Sequence, residues 1–169
     1  MEELGIDERQ LFYLEFVNRE NHFRHAGRGQ ELLEMELLRD ANPQAVEHGD
    51  QTFREALQGR VSRDPVRNYK YLFVASVTLC CRSCIEGGLD EERAYNISDL
   101  FIQKMAALDG SQQVIDLHRE MLAFYLKEMT AVKRRRSCAK PLRECQSYID
   151  TYLHEPIHVL SLIHISEPT

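Results

Sequence analysis

Long apolar runs are missing from this sequence. The longest, Leu72 to Cys81, is diluted by Ser76 and Thr78 and falls well short of the ~20 residues that cross a bilayer. Glycine and proline are scarce, with 8 and 5 among 169 residues. That excludes a collagen-like chain and supplies few of the turns a strand-rich fold needs. The N-terminus, Met1-Glu2-Glu3-Leu4-Gly5, is acidic and has no apolar stretch of the kind a signal peptide carries. Cysteines number five, Cys80, Cys81, Cys84, Cys138 and Cys145. An odd count without an export signal reads as reduced thiols and a cytoplasmic protein. No phosphate-cradling G-x-x-x-x-G-K loop occurs.

Apolar residues make up 43% and charged residues 28%, the balance of a globular chain rather than a disordered one. The length allows one domain, or one and part of another. Charge is unevenly spread within the net −6. Residues 1–60 hold 13 acids and 7 bases, whereas residues 133–169 hold 4 acids and 6 bases. The shift begins at Lys133-Arg134-Arg135-Arg136, followed by Lys140 and Arg143. A basic end on an acidic body suggests contact with nucleic acid. The plainer reading is a solvated linker with cations that suit a helix C-terminus.

Helical spacing runs almost throughout. Asp7 to Asn18 brings Leu11 with Leu14 and Phe12 with Phe16, and Gln30 to Arg39 brings Leu33 with Leu37. Asn42-Pro43 is a helix start, leading to Val46, Phe53 and Leu57, with a break expected near Gly49 and a stop at Gly59. Asp64-Pro65 starts the most apolar helix, ending at Gly87-Gly88; apolar residues on more than one face predict that it is central and buried. Asp90-Glu91-Glu92 opens a helix toward Leu108, and Asp109-Gly110-Ser111 is a turn and cap before a long helix from Gln112 to Lys133. Pro141 is read as the start of a last helix carrying Cys145, Tyr148, Ile149 and Tyr152. The expected fold is all-α: a multi-helix bundle or short solenoid of about six helices.

Candidate chemistry is thin. His154-Glu155-Pro156-Ile157-His158 matches H-E-x-x-H, but Pro156 disfavours the helix that would align two zinc-binding histidines. Cys80 and Cys84 share a helix face, yet no second ligand pair is spaced to join them, and buried packing is the simpler role. His22 and His25 fall in a polar turn near Arg24, and His118 lies on an amphipathic helix without an evident Ser, Cys or Asp partner in sequence. Asn96-Ile97-Ser98 matches a glycosylation sequon, which has no meaning without export. No nucleophile, base and oxyanion site assembles, so neither an enzyme nor a cofactor or metal site is expected.

Two stretches carry a resemblance. The first runs from Asp64-Pro-Val-Arg-Asn-Tyr-Lys-Tyr-Leu-Phe-Val through Cys84-Ile-Glu-Gly-Gly-Leu-Asp to Ala94-Tyr-Asn-Ile-Ser-Asp-Leu-Phe-Ile-Gln103, with His118-Arg-Glu-Met in the same pattern. It resembles the helical region that precedes the DNA-binding domain in a group of AraC-type (AraC/XylS) bacterial transcriptional regulators. The second, Cys145-Gln-Ser-Tyr-Ile-Asp-Thr-Tyr-Leu-His-Glu-Pro-Ile157, is similar to the opening of the AraC-type domain, whose first helix ends in an E-P-I turn. Together they cover about residues 60–159, and residues 1–60 match more weakly.

The resemblance implies a helical sensor or dimerisation domain over 1–132, a basic linker over 133–140, and the start of a truncated helix-turn-helix domain over 141–159. A complete domain would hold two helix-turn-helix units in ~100 residues, and only the first scaffold helix is expected here. Lys133, Arg134, Arg135 and Arg136 are then candidates for contact with the DNA backbone. The implied partners are promoter DNA for the intact regulator, a second copy of the chain, and an effector ligand of unknown identity, with no membrane. Leu160-Ser-Leu-Ile-His-Ile-Ser-Glu-Pro-Thr169 resembles a translated sequencing adapter, because the transposase-adapter read CTG TCT CTT ATA CAC ATC TCC GAG CCC ACG encodes it in frame. Native sequence is therefore expected to end near Val159. The alternative function is a stand-alone helical protein–protein interaction module.

Overall fold

The computed structural model describes residues 5–25, 27–54 and 59–151, with side chains described through Ser137 and at Leu142 and Tyr148. Among the described residues there are six helices and no strand: α1 (Glu8–Glu20), α2 (Arg28–Arg39), α3 (Gln44–Arg54), α4 (Pro65–Glu86), α5 (Glu91–Ala106) and α6 (Ser111–Thr151). The all-α expectation holds.

Local chemistry accounts for the starts. Asp64 Oδ1 accepts from the backbone N–H of Val66 at 2.8 Å and Arg67 at 3.2 Å, and Pro65, with no N–H to satisfy, sits in the first turn. Asp90 accepts from Arg93 N–H at 2.9 Å, and Asn42 Oδ1 from Gln44 N–H at 3.0 Å. Asp7 and Gln10 form a reciprocal capping box. At the far end of α4, Gly88 has φ of +96°, a left-handed turn that glycine adopts without a Cβ penalty.

Helix α4 is the central element, packed against α2, α5 and α6, while α3 closes on α6 and α2. Leu72, Phe73, Val77, Cys80, Cys81 and Cys84 of α4 are buried with Leu38, Phe53, Ile97, Met121, Leu122, Tyr125 and Met129. Burial of such side chains contributes roughly 1.5–3 kcal/mol each. Polar ties fix the register between helices. Ser83 Oγ donates to Met35 O at 2.6 Å, joining α4 to α2. The buried Tyr125 hydroxyl donates to Ala94 O at 3.1 Å, joining α6 to α5. Lys70 Nζ donates to Ala106 O at 2.9 Å, at the C-terminus of α5. Among the described residues, helix α1 buries no residue and packs against none of the other helices.

Two sequence expectations are corrected. Gly49 does not break α3, which runs through it. It lies where α3 meets both α6 and α2: an added Cβ would stand 2.7 Å from Leu122 Cδ1 and 2.8 Å from Glu34 Oε1. Nor does Pro141 start a new helix: α6 is helical from Ser111 to Thr151 and passes through it, so the expected linker 133–140 lies within α6. Lysine and arginine are good helix formers. Lys133 Nζ also bonds Asp40 O at the end of α2, and the Arg136 guanidinium lies against Gly88, 1.7 Å from where a Cβ would stand. These contacts hold the basic turn of α6 to the body. Pro141 forgoes one helical hydrogen bond without ending the helix. Of the expected helix-turn-helix start, 141–151 belongs to α6, and 152–159 lies outside the described residues.

Gly49→Ala tests the close approach. Alanine gains about 1 kcal/mol of helix propensity, but overpacking against Leu122 costs about 1–3 kcal/mol. The expected outcome in urea unfolding is a net loss of about 1 kcal/mol. A gain would show that α3 and α6 have slack there.

Candidate functional site

A cavity of about 270 Å³ opens between α2, α3 and α4. Helix α2 contributes Glu31, Glu34 and Met35, and α3 contributes Thr52. Leu72, Ala75, Ser76, Leu79 and Cys80 of α4 form the opposite wall, and His25 borders it from the segment before α2. The i, i+3 and i, i+4 spacing of the α4 residues puts them on one stripe of that helix. The space equals on the order of nine waters, at the small end for a ligand site.

Two of the polar groups around the cavity are already engaged. Thr52 Oγ1 donates back to His48 O at 2.9 Å, and Ser76 Oγ is 2.8 Å from His118 Nε2. Glu34 is different. It is half-buried, and among the described residues its carboxyl has neither a hydrogen bond nor an ion pair. Burial, with the nearby Glu31 carboxylate adding repulsion, pushes its pKa up to about 7. Burial raises the Cys80 thiol well above its ordinary value, with Glu34 adding to the effect, and raises Cys84 to about 12. Cys80, Cys81 and Cys84 are free and buried, so near neutral pH they are thiols and weak nucleophiles.

Behind Ser76 lies a contact that sequence reading missed. His118 is fully buried on α6. Its ring stacks on Phe53 of α3, with centroids 3.8 Å apart and planes 5° apart. It also meets Phe73 of α4 edge-on at 6.1 Å. Burial lowers its pKa to about 3, with Asp50 opposing and Arg54 assisting. Ser76 and His118 are 42 positions apart, so only the packing of α4 on α6 joins them. A histidine of such low basicity accepts a proton from serine poorly near neutral pH, and the bond acts as a tether between helices.

Asp50 Oδ2 pairs with Arg54 Nε at 2.9 Å and with Arg119 Nη1 at 3.4 Å. Its Oδ1, like His118 Nδ1 and His48 Nδ1, is buried without a hydrogen-bond partner among the described residues.

The remaining sequence candidates disperse. His22 takes a left-handed φ of +51° in the turn after α1. His25 packs edge-on to Phe23 at 5.0 Å and borders the cavity. The four basic residues do not form one surface: Lys133 pairs with Asp40 and Arg136 covers Gly88, while Arg134 and Arg135 are exposed on α6. The His154 to His158 motif and the Leu160 to Thr169 tail lie outside the described residues. Among the described residues no group of three or more His, Cys, Asp or Glu could hold a metal ion, and no helix is long and apolar enough to cross a membrane. Comparison of the chain with protein families, with curated proteins and with solved structures gives no match.

Opposite pH slopes follow for the two buried titrating groups. The folded state retains a proton on Glu34 that the unfolded chain releases above about 4.5, so this group's contribution to stability falls as pH rises from about 4.5 to 7. Glu34→Gln should match the wild type at pH 4 and exceed it above pH 7, by up to about 3 kcal/mol. For His118 the unfolded chain takes up a proton below about 6.5 that the folded state refuses until about 3. Stability through this group therefore falls as pH drops from 6.5 toward 3. His118→Phe keeps a ring against Phe53 and should flatten the acid limb of a thermal-melt pH series. An unchanged acid limb would show that His118 reaches solvent.

Proposed function

We propose that residues 1–132 are the sensing or dimerisation body of an AraC-type transcriptional regulator whose DNA-binding domain begins within 141–159 and whose DNA-reading helices follow it. The observation that carries this reading is the course of α6. Its first half is core, with His118, Met121, Leu122, Tyr125 and Met129 buried. The same helix then continues without interruption to Thr151, within the segment 145–157 that resembles the opening of a DNA-binding domain. A continuous helix places whatever follows it in a fixed orientation to the body, which is what a sensor needs to act on a reader. The cavity lies on α4, inside the other resembling stretch, and supplies a place for an effector. In the intact regulator, phosphate contacts would set register on promoter DNA and recognition helices would read base edges.

A second reading, a stand-alone helical interaction module, is favoured by α1. Leu11, Phe12, Tyr13, Leu14 and Phe16 are all exposed on that short helix, an apolar content unusual for a surface with no partner. On the regulator reading the same helix serves pairing with a second copy.

Sequencing the source locus across the codon for Val159, from a library made without the adapter, separates the two. The expected result is a frame that continues for ~100 residues with two helix-turn-helix patterns. A genomic stop directly after codons for Leu160 to Thr169 would overturn the regulator reading and leave the module. In a gel shift, the 169-residue chain should show no sequence-selective DNA binding, because recognition helices are not among its resembling segments. Tight, salt-resistant, selective binding would contradict that.

A further inference from the structure

We propose that the cavity between α2, α3 and α4 binds a small organic amine, whose ammonium group meets Glu34 and whose apolar body packs on Leu72, Ala75 and Leu79. The argument is one of chemical complement. The walls are mainly aliphatic, so the ligand is mainly apolar. Thr52 and Ser76 have hydrogen bonds of their own, to His48 O and to His118. Glu31 and His25 stand exposed at the border, which leaves the half-buried Glu34 carboxyl to fix a ligand's orientation inside; it lies against the bare backbone of Gly49 and has no partner among the described residues. Glu31, close enough to raise the Glu34 pKa, adds a second negative charge, and among the described residues no lysine or arginine lines the space. Such a site repels carboxylates and phosphates and gains a charge-assisted hydrogen bond from an ammonium. The volume suits a ligand of about ten non-hydrogen atoms. The proposal deepens the sensor reading by naming its effector class. It rests on that reading only for the regulatory consequence, since an amine can fill the cavity whether or not a DNA reader follows.

The test uses the 169-residue chain and three probes of similar shape: 2-phenylethylamine, 2-phenylethanol and phenylacetate. Calorimetry at pH 8, where Glu34 is mostly ionised, should show the amine binding about tenfold or more tightly than the alcohol, with phenylacetate weakest. Affinity for the amine should fall between pH 8 and pH 6, as Glu34 takes up its proton, while affinity for the alcohol stays level. Glu34→Gln should abolish the preference for amine and keep the alcohol. Ala75→Phe, which fills the cavity from α4, should abolish both. Should either variant misfold by circular dichroism, chemical-shift changes in wild-type α2 and α4 amides on amine titration provide the second readout. Equal binding of amine and alcohol, preference for phenylacetate, an amine preference surviving in Glu34→Gln, or no binding to the wild type would each overturn the proposal. None of those outcomes bears on the reading frame beyond Val159, and a stop codon there leaves the binding result intact.

Discussion

Three helices meet at one imidazole that must stay neutral. His118 on α6 stacks on Phe53 of α3 and bonds Ser76 of α4, so the relative positions of α3, α4 and α6 converge on a single ring. A charged ring there would be desolvated with no carboxylate bonded to it, and burial accordingly lowers its pKa to about 3. Asp50 and Arg54 act on it in opposite senses, and Asp50 is itself shared between Arg54 and Arg119. Because those charges largely offset one another, desolvation decides the protonation state. The unbonded His118 Nδ1 and Asp50 Oδ1 are costs that the surrounding aromatic packing must outweigh.

The same constraint shapes the cavity. Ser76 is held at its floor by His118, and small side chains along α4 let neighbouring helices approach. Ser83 reaches the backbone of α2 directly. Helix α2 buries one residue fully, Leu38. A half-buried carboxyl there lowers stability when ionised, which is a common property of binding positions. An ammonium that neutralises it would relieve that cost and tighten α2 onto α4.

Local signals in the sequence proved sufficient where the physics is local. Asp64-Pro65, Asp90, Asn42-Pro43 and Gly87-Gly88 mark helix ends because their effects operate over two or three residues. The central burial of α4 was legible for a related reason: apolar residues on several faces demand several neighbours. The misreadings arise where distant residues decide. Gly49 carries a local signature of helix breaking, yet its function is the approach of Leu122 and Glu34 from other helices. Pro141 carries a local signature of a helix start, yet α6 passes through it, continuing a helix that Asp40 holds at Lys133 and Gly88 at Arg136. The cavity was not legible at all. Glu34 looks like any surface glutamate on an amphipathic helix, and its isolation depends on α3 and α4 folding over it. The pairing of His118 with Ser76 likewise depends on packing between α4 and α6.

The contacts of Lys133 and Arg136 also suggest how an effector would act under the proposed function. Glu34 and Asp40 lie on or just beyond the same helix, six positions apart, a rise of about 9 Å. Asp40 contributes a backbone carbonyl and a carboxylate to Lys133 of α6. Movement of α2 toward a ligand at Glu34 would therefore be felt at the turn where α6 leaves the body. Gly87 sharpens the coupling: Arg39 O would stand 3.1 Å from a Cβ there, and Met129 Cε 2.3 Å, so α2, α4 and α6 have little slack at this corner. Packed cores respond to such displacement by shifting between arrangements rather than by deforming smoothly. The basic turn Lys133 to Arg136 would then serve as a clamp on the exit of α6, through Lys133 at Asp40 and Arg136 at Gly88.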